Sequence, residues 1–92
     1  MLVTEPDDPF LNYALALELV KEGDRIKGLQ RLAQMNEQFV DHVPAYFRRG
    51  QLLAEDGDES GARAVLLLGL QAAKRTGDDH AAAEMQELLS SL

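Results

Sequence analysis

The stretch Leu19-Val20-Lys21-Glu22-Gly23-Asp24 returns 34 positions later as Leu53-Ala54-Glu55-Asp56-Gly57-Asp58, and this return decides the fold. Continuing the same offset outward pairs Tyr13 with Phe47, Ala16 with Gly50, Gly28 with Ala62 and Leu32 with Leu66. Agreement in phase at aromatic, small and aliphatic positions together makes the repeat real rather than a chance glycine match. Glycine in the Gly-Asp pair supplies the left-handed conformation that ends a helix, and the aspartate can cap the next one. Each unit therefore reads as two helices around a tight turn.

Start signals lie where that reading needs them. Pro9 and Pro44 suit the first turn of a helix, where no N–H is required, and Asp7, Asp8 and Asp41 just upstream are cap candidates. Leu11, Leu15 and Leu19 in the first unit, and Tyr46, Gly50 and Leu53 in the second, recur at three and four residues as an amphipathic stripe. The second helices are expected from Arg25 to Phe39 and from Glu59 to Arg75, with Lys74 and Arg75 favourably placed at a helix C-terminus. After Thr76-Gly77, Asp78 and Asp79 can cap a last helix whose apolar positions are Ala81, Ala82, Met85, Leu88 and Leu89. A third repeat is not completed, so residues 77–92 read as a capping helix.

A 34-residue helix-turn-helix unit with a Gly-Asp turn resembles the tetratricopeptide repeat, over residues 9–76. The small positions carry the likeness: Ala16 and Gly50 in the first helices, Gly28 with Leu32 and Met35, and Ala62 with Leu66 and Gly69 in the second helices. Departures are Asn12 for a bulky residue, Arg49 for a leucine, Arg25 and Glu59 for a tyrosine, and Val40 for a proline. The resemblance implies an all-α fold, a right-handed superhelix of about five helices in antiparallel pairs. Its units would be 9–42 and 43–76, followed by the capping helix, with residues 1–8 as a flexible acidic N-terminal tail.

Composition narrows function. The 92 residues leave room for one small core, and the absence of cysteine removes disulfides and thiolate chemistry. Sixteen acidic side chains against nine basic ones give a net charge of −7, which disfavours phosphate neutralisation along nucleic acid. The acid excess lies at the two ends, whereas residues 43–76 are slightly basic. No membrane-length apolar run and no basic-then-apolar leader is present, so the expected location is cytoplasmic. Only three basic residues are lysines, a surface suited to high salt.

No catalytic or cofactor constellation emerges. His42 and His80 lack a cysteine or serine partner nearby, Ser60, Ser90 and Ser91 fall at helix ends, and His80 with Glu84 lacks the second histidine of a zinc-protease helix. The cluster Glu55, Asp56, Asp58, Glu59 breaks calcium-loop spacing at Gly57 and reads as a solvated turn. We therefore expect neither an enzyme nor a bound cofactor or metal.

Arrays of the resembled kind line a concave groove with the first helix of each unit. By phase, the groove here is lined by Phe10, Tyr13, Leu17, Val20 and Lys21, and by Phe47, Arg48, Gln51, Ala54 and Glu55. The expected peptide-binding set is Phe10, Tyr13, Leu17, Val20, Phe47, Arg48 and Gln51. Aromatic anchors would hold an apolar peptide or helix, with Arg48 pairing an acidic group. The competing reading has Tyr13 and Phe47 merely covering the seam between repeats. Chaperone-binding members of the resembled family read a terminal carboxylate with Lys, Asn and Arg, and Tyr13, Leu17 and Arg48 occupy three of those positions, so that clamp is not expected. Two repeats also fall short of the usual three, which makes homodimerisation the alternative expectation. The run Val65-Leu66-Leu67-Leu68 is expected to be buried between its unit and the capping helix, any exposed part forming a contact surface.

Overall fold

Aspartate caps open four of the five helices in the computed structural model, which describes residues 8–92. They are α1 (Pro9–Lys21), α2 (Arg25–Gln38), α3 (Val43–Glu55), α4 (Glu59–Thr76) and α5 (Asp79–Ser90). Asp8 accepts from the Phe10 and Leu11 amides, Asp24 from Lys27, Asp58 from Gly61 and Asp78 from Ala81. These bonds satisfy N–H groups that a helix leaves without internal partners. Asp8 thus belongs to α1, and the rest of the expected tail, residues 1–7, lies outside the described residues.

The exception is α3. His42 is its N-cap and makes no side-chain capping bond, Pro44 falls at the second helical position, and Asp41 instead accepts from Arg75 Nε at 2.9 Å. Asp41 is drawn off because the end of α4 passes close by, which corrects its assignment as a cap. Arg75 Nη2 also donates to the Val40 carbonyl, and the Tyr46 hydroxyl donates to the same oxygen at 2.8 Å. Side chains from α3 and α4 therefore fix the α2–α3 turn at Val40, where the resemblance implies a proline.

Gly23, Gly57 and Gly77 take positive φ values of 93°, 84° and 73°, and no atom crowds the place of a Cβ at any of them. Conformation, not space, selects glycine at these turns. Gly50 and Gly69 obey the opposite logic: a Cβ would stand 2.5 Å from Leu66 Cδ2 in one case and 2.8 Å from Tyr46 Cβ in the other. They let α3 and α4 approach closely, as Gly28 does for α1 and α2 against Val20.

Short turns force consecutive helices to fold back, α1 on α2 and α3 on α4, with α2 also packing on α3 and α5 on both α3 and α4. The core divides in two. Ala16, Leu32, Met35, Ala45 and Leu52 form one cluster; Val43, Tyr46, Val65, Leu66, Leu70 and Met85 belong to the other. Helix α3 contributes to both, so it is the middle member through which the two halves share stability. Among the departures, Asn12 accepts from Arg31 Nη1 at 3.0 Å and donates to the Asp8 carbonyl, replacing apolar bulk with a polar tie between α1 and α2.

Three apolar expectations are corrected. Leu15 is exposed, because α1 rests on α2 through Ala16 and Val20 while the opposite face of α1 has no neighbour among the described residues. Leu67 and Leu68 are each 49% exposed, whereas Val65 and Leu66 are buried. The side chains of four consecutive helical residues spread over about 300° around the axis, so one packed face cannot cover them all.

Candidate partner-binding site

The odd-numbered helices α1, α3 and α5 enclose a cavity of about 290 Å³. Tyr13 reaches it from α1, and Phe47, Arg48 and Gln51 reach it from α3. Successive turns of α3 project these three residues to one side because 47, 48 and 51 share a helical face. Val43 and Pro44 form one end, and Asp78, His80, Ala81 and Glu84 at the start of α5 form the far wall.

Phe47 packs against the α3–α4–α5 core and Tyr13 against the α1–α2–α3 core, so both rings are held from behind while remaining partly open to the cavity. Burial raises the Tyr13 hydroxyl above its ordinary pKa, opposed by the charge of Arg48, and the phenol stays protonated and able to donate. Arg48 Nη1 donates to Gln51 Oε1 at 3.3 Å, while its Nε is buried without an acceptor among the described residues. The α5 wall carries the opposite sign. Asp78 Oδ1 is occupied with the α5 cap, and Glu84 lies 3.5 Å from His80 Nε2. The site thus pairs an aromatic and cationic wall with an acidic one.

His42 stands at the rim. Its imidazole meets Tyr13 and Phe10 edge-on, with ring centroids 5.3 and 5.8 Å away, and burial lowers its pKa. Phe10 itself is 76% exposed and borders a neighbouring depression of about 520 Å³, which shares Val43, Pro44 and Asp78 with the first. The two form one continuous surface along the starts of α1, α3 and α5.

Of the seven residues in the expected peptide-binding set, the fold brings Tyr13, Phe47, Arg48 and Gln51 together, with Phe10 beside them. Leu17 is half-buried and outside the cavity lining. Val20 packs on Gly28 in the α1–α2 seam instead. Sequence reasoning missed the α5 wall and His42. The available signal was the Asp78-Asp79 cap: a helix start directed at Pro44 brings its first-turn side chains to the cavity mouth.

Among the described residues no cluster of three or more His, Cys, Asp or Glu could hold a metal ion, and no helix is long and apolar enough to cross a membrane. Ser90 and Ser91 donate to backbone carbonyls of Gln86 and Leu88, away from either histidine.

Two solved structures are similar to this chain along nearly all of it. A solution NMR structure of a tetratricopeptide repeat domain protein from Salinibacter ruber superposes with a TM-score of 0.89 at 26% identity, over 96% of this chain and 89% of that one. A crystal structure of a tetratricopeptide repeat domain protein from the same organism gives 0.84 at 26% identity, over 91% and 93%. No family model and no curated protein sequence matches the chain.

Proposed function

Taking as premise that this chain has the tetratricopeptide-repeat fold, we propose that it is a non-enzymatic protein-interaction module. It binds an apolar peptide or helix of a partner protein in the cavity between α1, α3 and α5. One observation carries this reading: Tyr13, Phe47, Arg48 and Gln51, from two helices that are not consecutive in the chain, converge on a single concave surface with both rings anchored from behind. Preorganised aromatics lose little entropy on contact and dominate interface energetics. Arg48, whose Nε lacks an acceptor, orients a polar group of the ligand.

The test is affinity capture by the wild-type chain and by a Tyr13→Ala, Phe47→Ala double variant whose helicity is first verified by circular dichroism. A partner held by the wild type should bind the double variant at least about 30-fold more weakly, corresponding to about 2 kcal/mol of lost anchor contact. Equal retention by both forms would remove the cavity from consideration.

Self-association is the second reading, favoured by the large apolar side chains Phe10 and Leu15 that α1 exposes among the described residues. It predicts a protomer mass that rises with concentration in sedimentation and a melting temperature that falls on dilution. A constant mass across the micromolar range would dismiss it.

A further inference from the structure

A larger cavity, about 540 Å³, lies between the even-numbered helices α2 and α4, with α3 as its floor, and shares no lining residue with the site above. Its rim is apolar, formed in part by Val40 and Leu68, which are about half exposed. Its interior is polar. Arg49 Nη1 donates to Asn36 Oδ1 at 3.0 Å, and this donation fixes which end of the Asn36 amide is oxygen. Asn36 is only 8% exposed, and its Nδ2 is buried with no hydrogen-bond partner among the described residues.

Arg49 occupies the face of α3 that also carries buried Tyr46 and Gly50. The guanidinium is held partly out of water, which lowers its pKa, with the charge of Glu37 acting the other way. Among the described residues it makes no ion pair within 4 Å, in contrast to Arg25 and Arg75. Arg75 lines the same cavity, joined to Asp41 and to the Val40 carbonyl, and Gln71 adds an exposed amide. Because Arg75 is already paired with Asp41, Arg49 is the lining guanidinium left without an ion pair among the described residues, with the charge of Glu37 nearby. A half-buried cation bonded only to a neutral oxygen, beside an unused buried donor, is complementary to a carboxylate. The half-exposed aliphatic rim adds a place for apolar neighbours of that carboxylate.

We propose that this cavity is a second docking site, which takes an acidic side chain of a partner protein flanked by aliphatic residues. Arg49, with Asn36 beside it, receives the carboxylate, and Val40 and Leu68 receive the flanking side chains. The site is separate from the α1–α3–α5 cavity and stands whether or not that cavity binds a peptide.

The experiment uses the full chain and three probes: the blocked peptides Ac-Leu-Glu-Leu-NH2 and Ac-Leu-Gln-Leu-NH2, and Ac-Leu-Leu with a free terminal carboxylate. Side-chain amide and guanidinium N–H resonances of the 15N-labelled protein report binding. The glutamate peptide should shift the Asn36 and Arg49 signals saturably, with an apparent Kd at least fivefold lower than that of the glutamine peptide. An Arg49→Leu variant should lose this binding at least tenfold. A Gln71→Glu variant, at an exposed position of the lining, should weaken it through added negative charge even if the Arg49 variant does not fold. Equal affinity for the glutamate and glutamine peptides, or binding undisturbed by Gln71→Glu, would overturn the proposal. So would non-saturating shifts spread over all arginines. Tighter binding of the free-carboxylate peptide would assign the site to a chain terminus and refute a side-chain ligand.

Discussion

His42 shows how a residue with an unremarkable sequence context acquires a physical role. It follows Asp41 and precedes Val43-Pro44, a turn by any local reading, yet it rests against the rings of Phe10 and Tyr13 with its Nε2 buried and without a partner. Burial lowers its folded-state pKa below the ordinary 6.5. The unfolded chain then binds the proton more readily than the folded one, so stability is greatest above pH 6.5 and falls as pH drops from there toward the folded value. Denaturant midpoints of the wild type should decline over this window, and a His42→Gln variant should show a flatter slope. An unchanged slope in the variant would mean that His42 titrates alike in both states.

At the scale of elements, α5 is more than a cover. Met85 is fully buried, packs with the α3–α4 core, and sets its sulfur 2.6 Å from where a Cβ on Gly69 would stand. Met85→Ala should lower unfolding free energy by about 2–5 kcal/mol, the cost of a large-to-small change in a filled core, measurable as a shift in urea midpoint with little change in slope. The same variant should weaken capture of any partner held between α1, α3 and α5, because Asp78, His80 and Glu84 ride on this helix. That a further helix follows Gly77 was legible in the broken repeat; its position as a wall of the cavity was not. Sequence phase tells which residues share a face of one helix, whereas the second wall of a cavity depends on where a later helix comes to rest.

For the whole molecule, a net charge of −7 on 92 residues opposes compaction by self-repulsion. Raising sodium chloride from 20 to 300 mM shortens the screening length and should raise the melting temperature by roughly 3 °C or more. A melting temperature independent of salt would show that the acidic ends lie too far apart to repel. The described residues measure 44 × 30 × 18 Å, with the core in two clusters joined through α3. The elongated shape follows from stacking helix pairs, each of which meets mainly its neighbours in sequence.

The helices, their order and their turns were determined by the sequence alone. Gly-Asp pairs at a 34-residue interval, proline near helix starts and small residues at fixed offsets are local instructions, satisfied within a few residues or between adjacent helices. The tertiary structure decided which apolar and polar groups were left without a partner. It turned Leu67 and Leu68 outward, drew Val20 into the seam against Gly28, took Asp41 from its helix to Arg75, and enclosed Arg49 with Asn36. These outcomes depend on distances between segments far apart in the chain. A side chain's environment is set by everything that packs around it, and periodicity within one helix fixes only its direction.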